Sequence, residues 1–467
     1  MLNRRLDLWL PTYAFTAPSR AYSRLRRHGQ LTHIMFLVCD HFEPRHGIRS
    51  EDQPAERMRI WKQEYAAFQE RCRTQFGAAP LHSFFYPPHH GTEHLPALAD
   101  MVFDGLGEVE LHYHHRDDTA ESLRAKLRES LAEYHRWGLL LESGATPRPS
   151  FGFIHGDWAL DNSRYGTLCG VNGELSLLRE LGCWADFTMP SANMCQTRKI
   201  NSIYYAVDDP CRSKSHNWGV DARVGRKDPP GLFLMQGPLG INWRAPGHPR
   251  VENASLTTDN WGRPDRIRKW IHCNVHVKGR PEWQFVKLHT HGAIERDFDA
   301  LFGHKAFEMH KVLNERYNDG QRYRLHYVTA RQAYNIAKAA EHGKTGSPDE
   351  WVDYLLPPQP NSFYVLDAQH DLVRCGADAL ELRNIAAGRT VRLRTRVGGI
   401  ESVTGAFETI AIDARAGTLA LTTTARTGIE VKAAPGLDFR QAGGLTRDSA
   451  GNVRFTVEGR CSIRYRG

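Results

Sequence analysis

Long apolar runs are missing from this sequence. The longest, Ile34–Cys39, has six residues, against the ~18 that a membrane-spanning helix needs, so an integral membrane protein is excluded. Paired cysteine motifs are missing as well. The nine cysteines (Cys39, Cys72, Cys169, Cys183, Cys195, Cys211, Cys273, Cys375 and Cys461) are odd in number, scattered, and form no C-x-x-C. A chain of 467 residues needs no disulfide staples, and these thiols read as reduced and buried in a reducing compartment. There is no internal repeat, no low-complexity tract and no Lys/Arg run. RNA-binding aromatic signatures and zinc-finger spacings are absent too. Lysine plus arginine (61) exceeds aspartate plus glutamate (53), but that excess speaks to solubility more than to function, and no nucleic-acid partner is expected. The start, MLNRRLDLWLPTYAFTAPSRAYSRLRRHG, lacks an uninterrupted apolar h-region. A secretory signal is therefore not expected, and the cytoplasm is the default location. A peripheral membrane contact by this Trp/Leu/Arg-rich segment stays open.

What is present is an ordinary folded composition, 41% apolar and 24% charged, in a chain long enough for two or three domains at about 150 residues each. After an N-terminal extension (1–30), LTHIMFLVC (31–39) reads as a buried strand releasing the polar group DHFEPRHG. An amphipathic helix over Pro54–Gly77 and a second strand, LHSFFYPP, follow. GEVELHYHH (107–115) alternates, with Glu110, His112 and His114 on one face. Asp118 and Glu121 form a capping-box pattern that opens a helix to about Trp137. Then come SFGFIHGDW (150–158), a helix over Glu174–Leu181 and GCWADFTMP (182–190). This βαβα rhythm predicts an α/β fold with parallel strands. Residues 191–280 read as a long, largely irregular insertion. WQFVKLHTHG (283–292) resumes the pattern, followed by a helix over Phe298–Tyr317, the strand YRLHYV and a helix over Thr329–His342. Past Gly346 the composition changes, and 362–467 reads as a small antiparallel, sandwich-like β-domain with no metal ligand.

Twenty-four histidines is a high count, and they cluster at strand ends. His112 and His114, two apart on a strand, can converge on one ion, with a carboxylate from a neighbouring strand such as Asp40 as third ligand. Three protein ligands and an open position make a catalytic zinc-type site. His289 and His291 share one side of another strand end, where an imidazole can pass a proton near neutral pH. HGDWALDNSR supplies His155, Asp157, Trp158 and Asp161 in a polar, aromatic loop suited to sugar, although Asp161 or Asn162 could equally cap a helix. Asp186 is a candidate buried carboxylate in need of a histidine or arginine partner.

In their order these segments resemble the polysaccharide deacetylases of the NodB-homology type, metal-dependent carbohydrate esterases on a distorted (β/α)7 barrel. LVCDHFEP resembles the family's first motif, EVELHYHH its metal-binding histidine motif, FIHGDWALD its third, GCWADFTMP its fourth and LHTHG its fifth, with the catalytic histidine. The likeness spans roughly 31–340, within a barrel domain expected over 31–346. Three departures stand out. The tandem aspartates of the first motif are here Asp40 and His41, with Glu43 further on. The residue four after His112 is Arg116, so the second histidine ligand is His114 or His115. The third motif's arginine falls on Ile154, unless Arg148 takes its place.

The resemblance implies one divalent metal, zinc first, on Asp40, His112 and His114. Asp40 or Glu43 acts as base and His289 as acid, oriented by Asp186. His155, Asp157, Trp158 and His291 contact an acetylated carbohydrate polymer, with N-acetyl ahead of O-acetyl, in making or modifying exopolysaccharide. A non-catalytic glycan-binding relative and a metal-dependent glycosidase or amidohydrolase are the alternatives.

Overall fold

The computed structural model describes residues 4–140, 149–168, 170–359, 370–375, 378–440, 444–449 and 451–466. Arg148, Cys169 and the first residues of the expected C-terminal domain lie outside them. The chain divides into two compact units. The first is Met1–Gly91 with Leu106–Arg128 and Ser150–Leu356, and the second is Thr92–Gly105 with Glu129–Pro149 and Pro357–Gly467.

The first unit holds β1 (Thr32–His41), β2 (His82–Tyr86), β3 (Gly107–Tyr113), β4 (Phe151–His155), β5 (Cys183–Asp186) and β6 (Ile203–Ala206). It continues with β7 (Val220–Asp221), β8 (Leu232–Met235), β9 (Gly240–Asn242), β10 (Arg250–Glu252), β11 (Trp283–Thr290) and β12 (Tyr323–Tyr327). Ten of these make one sheet, ordered β11-β1-β2-β3-β4-β5-β8-β6-β7, with β12 also paired to β1. Its pairings are parallel except where β6 meets β7 and β8. β9 and β10 form a separate antiparallel pair.

β1 is buried along its whole length, as a parallel strand covered on both faces must be. Side-chain alternation sorts its residues. Met35, Leu37 and Cys39 enter one cluster with Phe85, Ile154, Ala185, Phe233 and Phe285, while Phe36 packs on the opposite side against Trp270 and His310. His41 continues the first set and Asp40 the second, which decides what each can reach.

The helices follow the expected periodicity with local breaks. The Pro54–Gly77 stretch is Gln53–Ile60 and Ala66–Phe76 joined by a π-helical turn, Trp61–Tyr65. Trp61 donates from Nε1 to the Gly292 carbonyl at 2.8 Å, beside His291. The Phe298–Tyr317 stretch splits into Phe298–Leu301 and His304–Tyr317 around Gly303. Thr329 and Gln332 form a capping box on Ala330–Glu341.

Within the 191–280 stretch, most of which is irregular, lie β6 to β10 and the helix Pro264–Cys273, and β8 joins the main sheet beside β5. The strands there are two to four residues long, too short for alternation to register. At the N-terminus Trp9 is fully buried with Ala192, Ile200 and Leu239. No helix among the described residues is long and apolar enough to cross a membrane.

The second unit is built on a nine-stranded antiparallel sheet around a core that includes Leu393, Val403, Ile410, Leu421, Val431 and Ile463. Its two long strands, Thr418–Ala433 and Val453–Arg466, pair with each other, with a register shift between Thr423 and Thr427. Burial alternates on either side of that shift and lapses across it, so one strand serves two parts of the core. Arg394 pairs with Asp100 of the helix Leu95–Phe103 and, at 2.8 Å, with Asp104 just past its end, in the same unit.

Candidate metal centre

β3 positions the first ligands. Alternation carries Glu110 and His112 to the same face, and His112 Nδ1 donates to the Ile154 carbonyl at 2.9 Å. That bond leaves Nε2 as the lone pair. Just past the strand, His114 turns its Nε2 to within 3.1 Å of His112 Nε2, while its Nδ1 faces Asp157 Oδ2 at 3.5 Å. The close approach requires glycine at 156, where a Cβ would lie 2.5 Å from the His114 ring. Glu43, two residues beyond β1, brings Oε1 to 3.7 Å from His112 Nε2 and 3.2 Å from His114 Nε2. Glu43, His112 and His114 thus present three ligand atoms within 4.8 Å of one another. Bond lengths near 2 Å place neighbouring ligand atoms of a tetrahedral ion about 3.3 Å apart, so the spacing suits a divalent cation.

Burial by itself raises the Glu43 carboxyl, but hydrogen bonds from His112 and His114 outweigh it and hold the group well below the usual carboxylate range. The surroundings are open on one side. His114 is 29% exposed, Asp157 35% and His291 28%. His291 Nε2 stands 3.7 Å from Glu43 Oε2. Burial lowers its pKa, with Glu43 opposing the shift.

Three polar atoms around this opening, His41 Nε2, His289 Nδ1 and Trp158 Nε1, are buried with no hydrogen-bond partner among the described residues. In a protein interior such atoms take water or a ligand as their partner. The His41 ring lies 4.8 Å from that of His291 and 5.5 Å from that of Trp158. Asp157 and Trp158 both take left-handed backbone at φ 53° and 55°, a cost that surrounding structure must hold in place.

Several expected site residues stand elsewhere. Asp40 lies outside the ligand group. Its parity on β1 directs it to the opposite side, where His82 Nε2 meets Oδ2 at 2.8 Å and the Gly292 N–H donates to Oδ1 at 2.6 Å. Asp186 is hydrogen-bonded to Thr188, through its N–H at 3.1 Å and its hydroxyl at 2.6 Å, rather than orienting His289. Burial raises its carboxyl to about 7. His289 is enclosed, and burial, then Lys287, hold its pKa well below the ordinary value. His155 is fully buried and turned away from Asp157 and Trp158, because alternation on β4 sends Ile154 to the inner cluster and His155 to the other face.

His115 and His155 instead meet each other. Their Nε2 atoms are 3.2 Å apart, and Glu174 Oε1 lies 3.4 Å from the first and 2.9 Å from the second. These three make a second group of possible ligand atoms. Sequence reasoning saw Glu174 only as the start of a helix. Both groups lie wholly in the first unit.

No family model and no curated protein matches this sequence. Among solved structures the chain is similar to a "putative polysaccharide deacetylase from Mycobacterium smegmatis", at 12% identity and a TM-score of 0.33 over 68% of this chain and 94% of that one. It is also similar to a "putative glycoside hydrolase/deacetylase" from Parabacteroides distasonis, at 11% identity and a TM-score of 0.33 over 87% of this chain and 82% of that one.

Proposed function

We propose that this chain is a metal-dependent hydrolase that removes acetyl groups, N-acetyl in preference to O-acetyl, from a carbohydrate polymer or its precursor, on a scaffold of the NodB (β/α)7 type. The observation that carries the reading is the open triad: Glu43, His112 and His114 converge within 4.8 Å, beside a partly exposed histidine on another strand end. The order of five sequence motifs supplies the substrate class.

A divalent ion, zinc first by its preference for imidazole with carboxylate, would be held by Glu43, His112 and His114 and supply Lewis-acid chemistry to an acyl carbonyl and to water. The protein's own groups do the rest. Asp157, 3.5 Å from His114 Nδ1, keeps that ring's Nε2 turned to the ligand group. His291, neutral because burial lowers its pKa, accepts a proton from the attacking water and returns it to the departing amine. Asp40 is a positioning residue, since its bond to the Gly292 N–H holds the turn that carries His291. Trp158 offers its ring to the sugar.

The test is acetate release from a panel of N- and O-acetylated oligosaccharides by zinc-loaded protein. Release that disappears in His114→Ala supports the reading. Retained glycan binding with bound metal and no acetate from any substrate would replace it with the glycan-binding alternative.

A further inference from the structure

The geometry points to a second, structural site for a divalent cation of the zinc type at His115, His155 and Glu174, apart from the open triad. Adjacent residues lead to the two places: His114 belongs to the open group and His115, one residue on, to this one.

The inference rests on where protons can sit. His155 Nδ1 faces the Gly156 carbonyl at 2.7 Å, and His115 Nδ1 faces Asp118 Oδ2 at 3.1 Å. A carbonyl and a carboxylate only accept, so both rings carry their hydrogen on Nδ1. While the rings are neutral, both Nε2 atoms then present lone pairs, and they face each other and Glu174 Oε1 across 2.9 to 3.4 Å. Three acceptors at that spacing repel unless a cation lies among them, and the edges match the roughly 3.3 Å expected between ligands of a tetrahedral ion.

The outer shell is complete as well. Glu174 Oε2 accepts the Asp161 N–H at 2.5 Å, and Asp118 Oδ1 is held by Lys126 at 2.7 Å. Every ligand is thus oriented from behind, as at built metal sites. The Gly170 N–H lies 3.3 Å from His115 Nε2, at the long end for such a bond, and supplies no charge to offset Glu174. Side-chain exposure of the three is 2%, 0% and 1%, so no substrate reaches them, and an ion there would be structural. It would tie the end of β3, the end of β4 and the start of Glu174–Glu180, and so fix the loop bearing Asp157 and Trp158. This holds whether or not the open triad hydrolyses acetyl groups.

The competing occupant is a proton on one ring's Nε2, donated to Glu174 Oε1. The test counts metal by mass spectrometry in full-length protein carrying Glu43→Gln and His114→Ala, which disable the open triad, after zinc loading and desalting. One equivalent is expected to remain. Its removal by a chelator should lower the melting temperature by roughly 10 °C, the scale for breaking a buried charged cluster in a unit this large. Adding Glu174→Gln should remove the equivalent. No retained zinc, or zinc that survives Glu174→Gln at full stoichiometry, overturns the proposal.

Discussion

Two clusters of the same composition, two histidines and a glutamate each, sit at neighbouring strand ends and differ in access. Around Glu43, His112 and His114 one side is open, and partly exposed His291 and Asp157 border it. Around His115, His155 and Glu174 everything is sealed. The chemistry of the donors is alike, so on the proposed reading it is access and neighbours that separate a catalytic site from a structural one. The orphaned polar atoms of His41 and Trp158 lie beside partly exposed His291 on the open side.

The sharpest way to break this contrast is to damage each cluster and ask which property fails. His112→Ala should cut acetate release by at least about 10³, since Lewis-acid stabilisation is worth several kcal/mol, with little change in melting temperature. Kinetics beside calorimetry checks both halves. His291→Ala should lower turnover by roughly 10² to 10³ and leave metal content intact. Because burial depresses the His291 pKa, the neutral base persists below the usual 6.5, so the acid limb of kcat/KM should lie below that pH and vanish in the variant. His289→Ala, by contrast, should keep the limb. Asp157→Asn should weaken metal binding at the open triad by about 10-fold, as loss of an orienting partner does, measured by competition with a chromophoric chelator. The smallest effect is expected from Trp158→Phe, a few-fold rise in KM with kcat nearly unchanged, because an aromatic face remains.

Legibility from sequence followed the same divide. Alternation over GEVELHYHH put His112 on the right face, and His114, one residue past the end of β3, still turns back to it. The same rule separates Asp40 from His41, yet motif order drew attention to the aspartate, and Glu43, lying past the strand in a loop, has no period to announce it. His155 and Glu174 are separated by a turn-rich loop whose path no local pattern encodes, and the sealed cluster was invisible for that reason. The alternating C-terminal strands were plain, while the two- to four-residue strands of 203–252 were too short to show any period.

The most direct measurement is a zinc titration of metal-stripped wild-type protein, following melting temperature and acetate release together. The sealed cluster has its ligands oriented from behind and shielded from water, so the first equivalent should raise the melting temperature without activity and the second should switch on acetate release. A single equivalent that restores both, or acetate release that rises fully before the melting temperature moves, would contradict the division between an open catalytic triad and a sealed structural one.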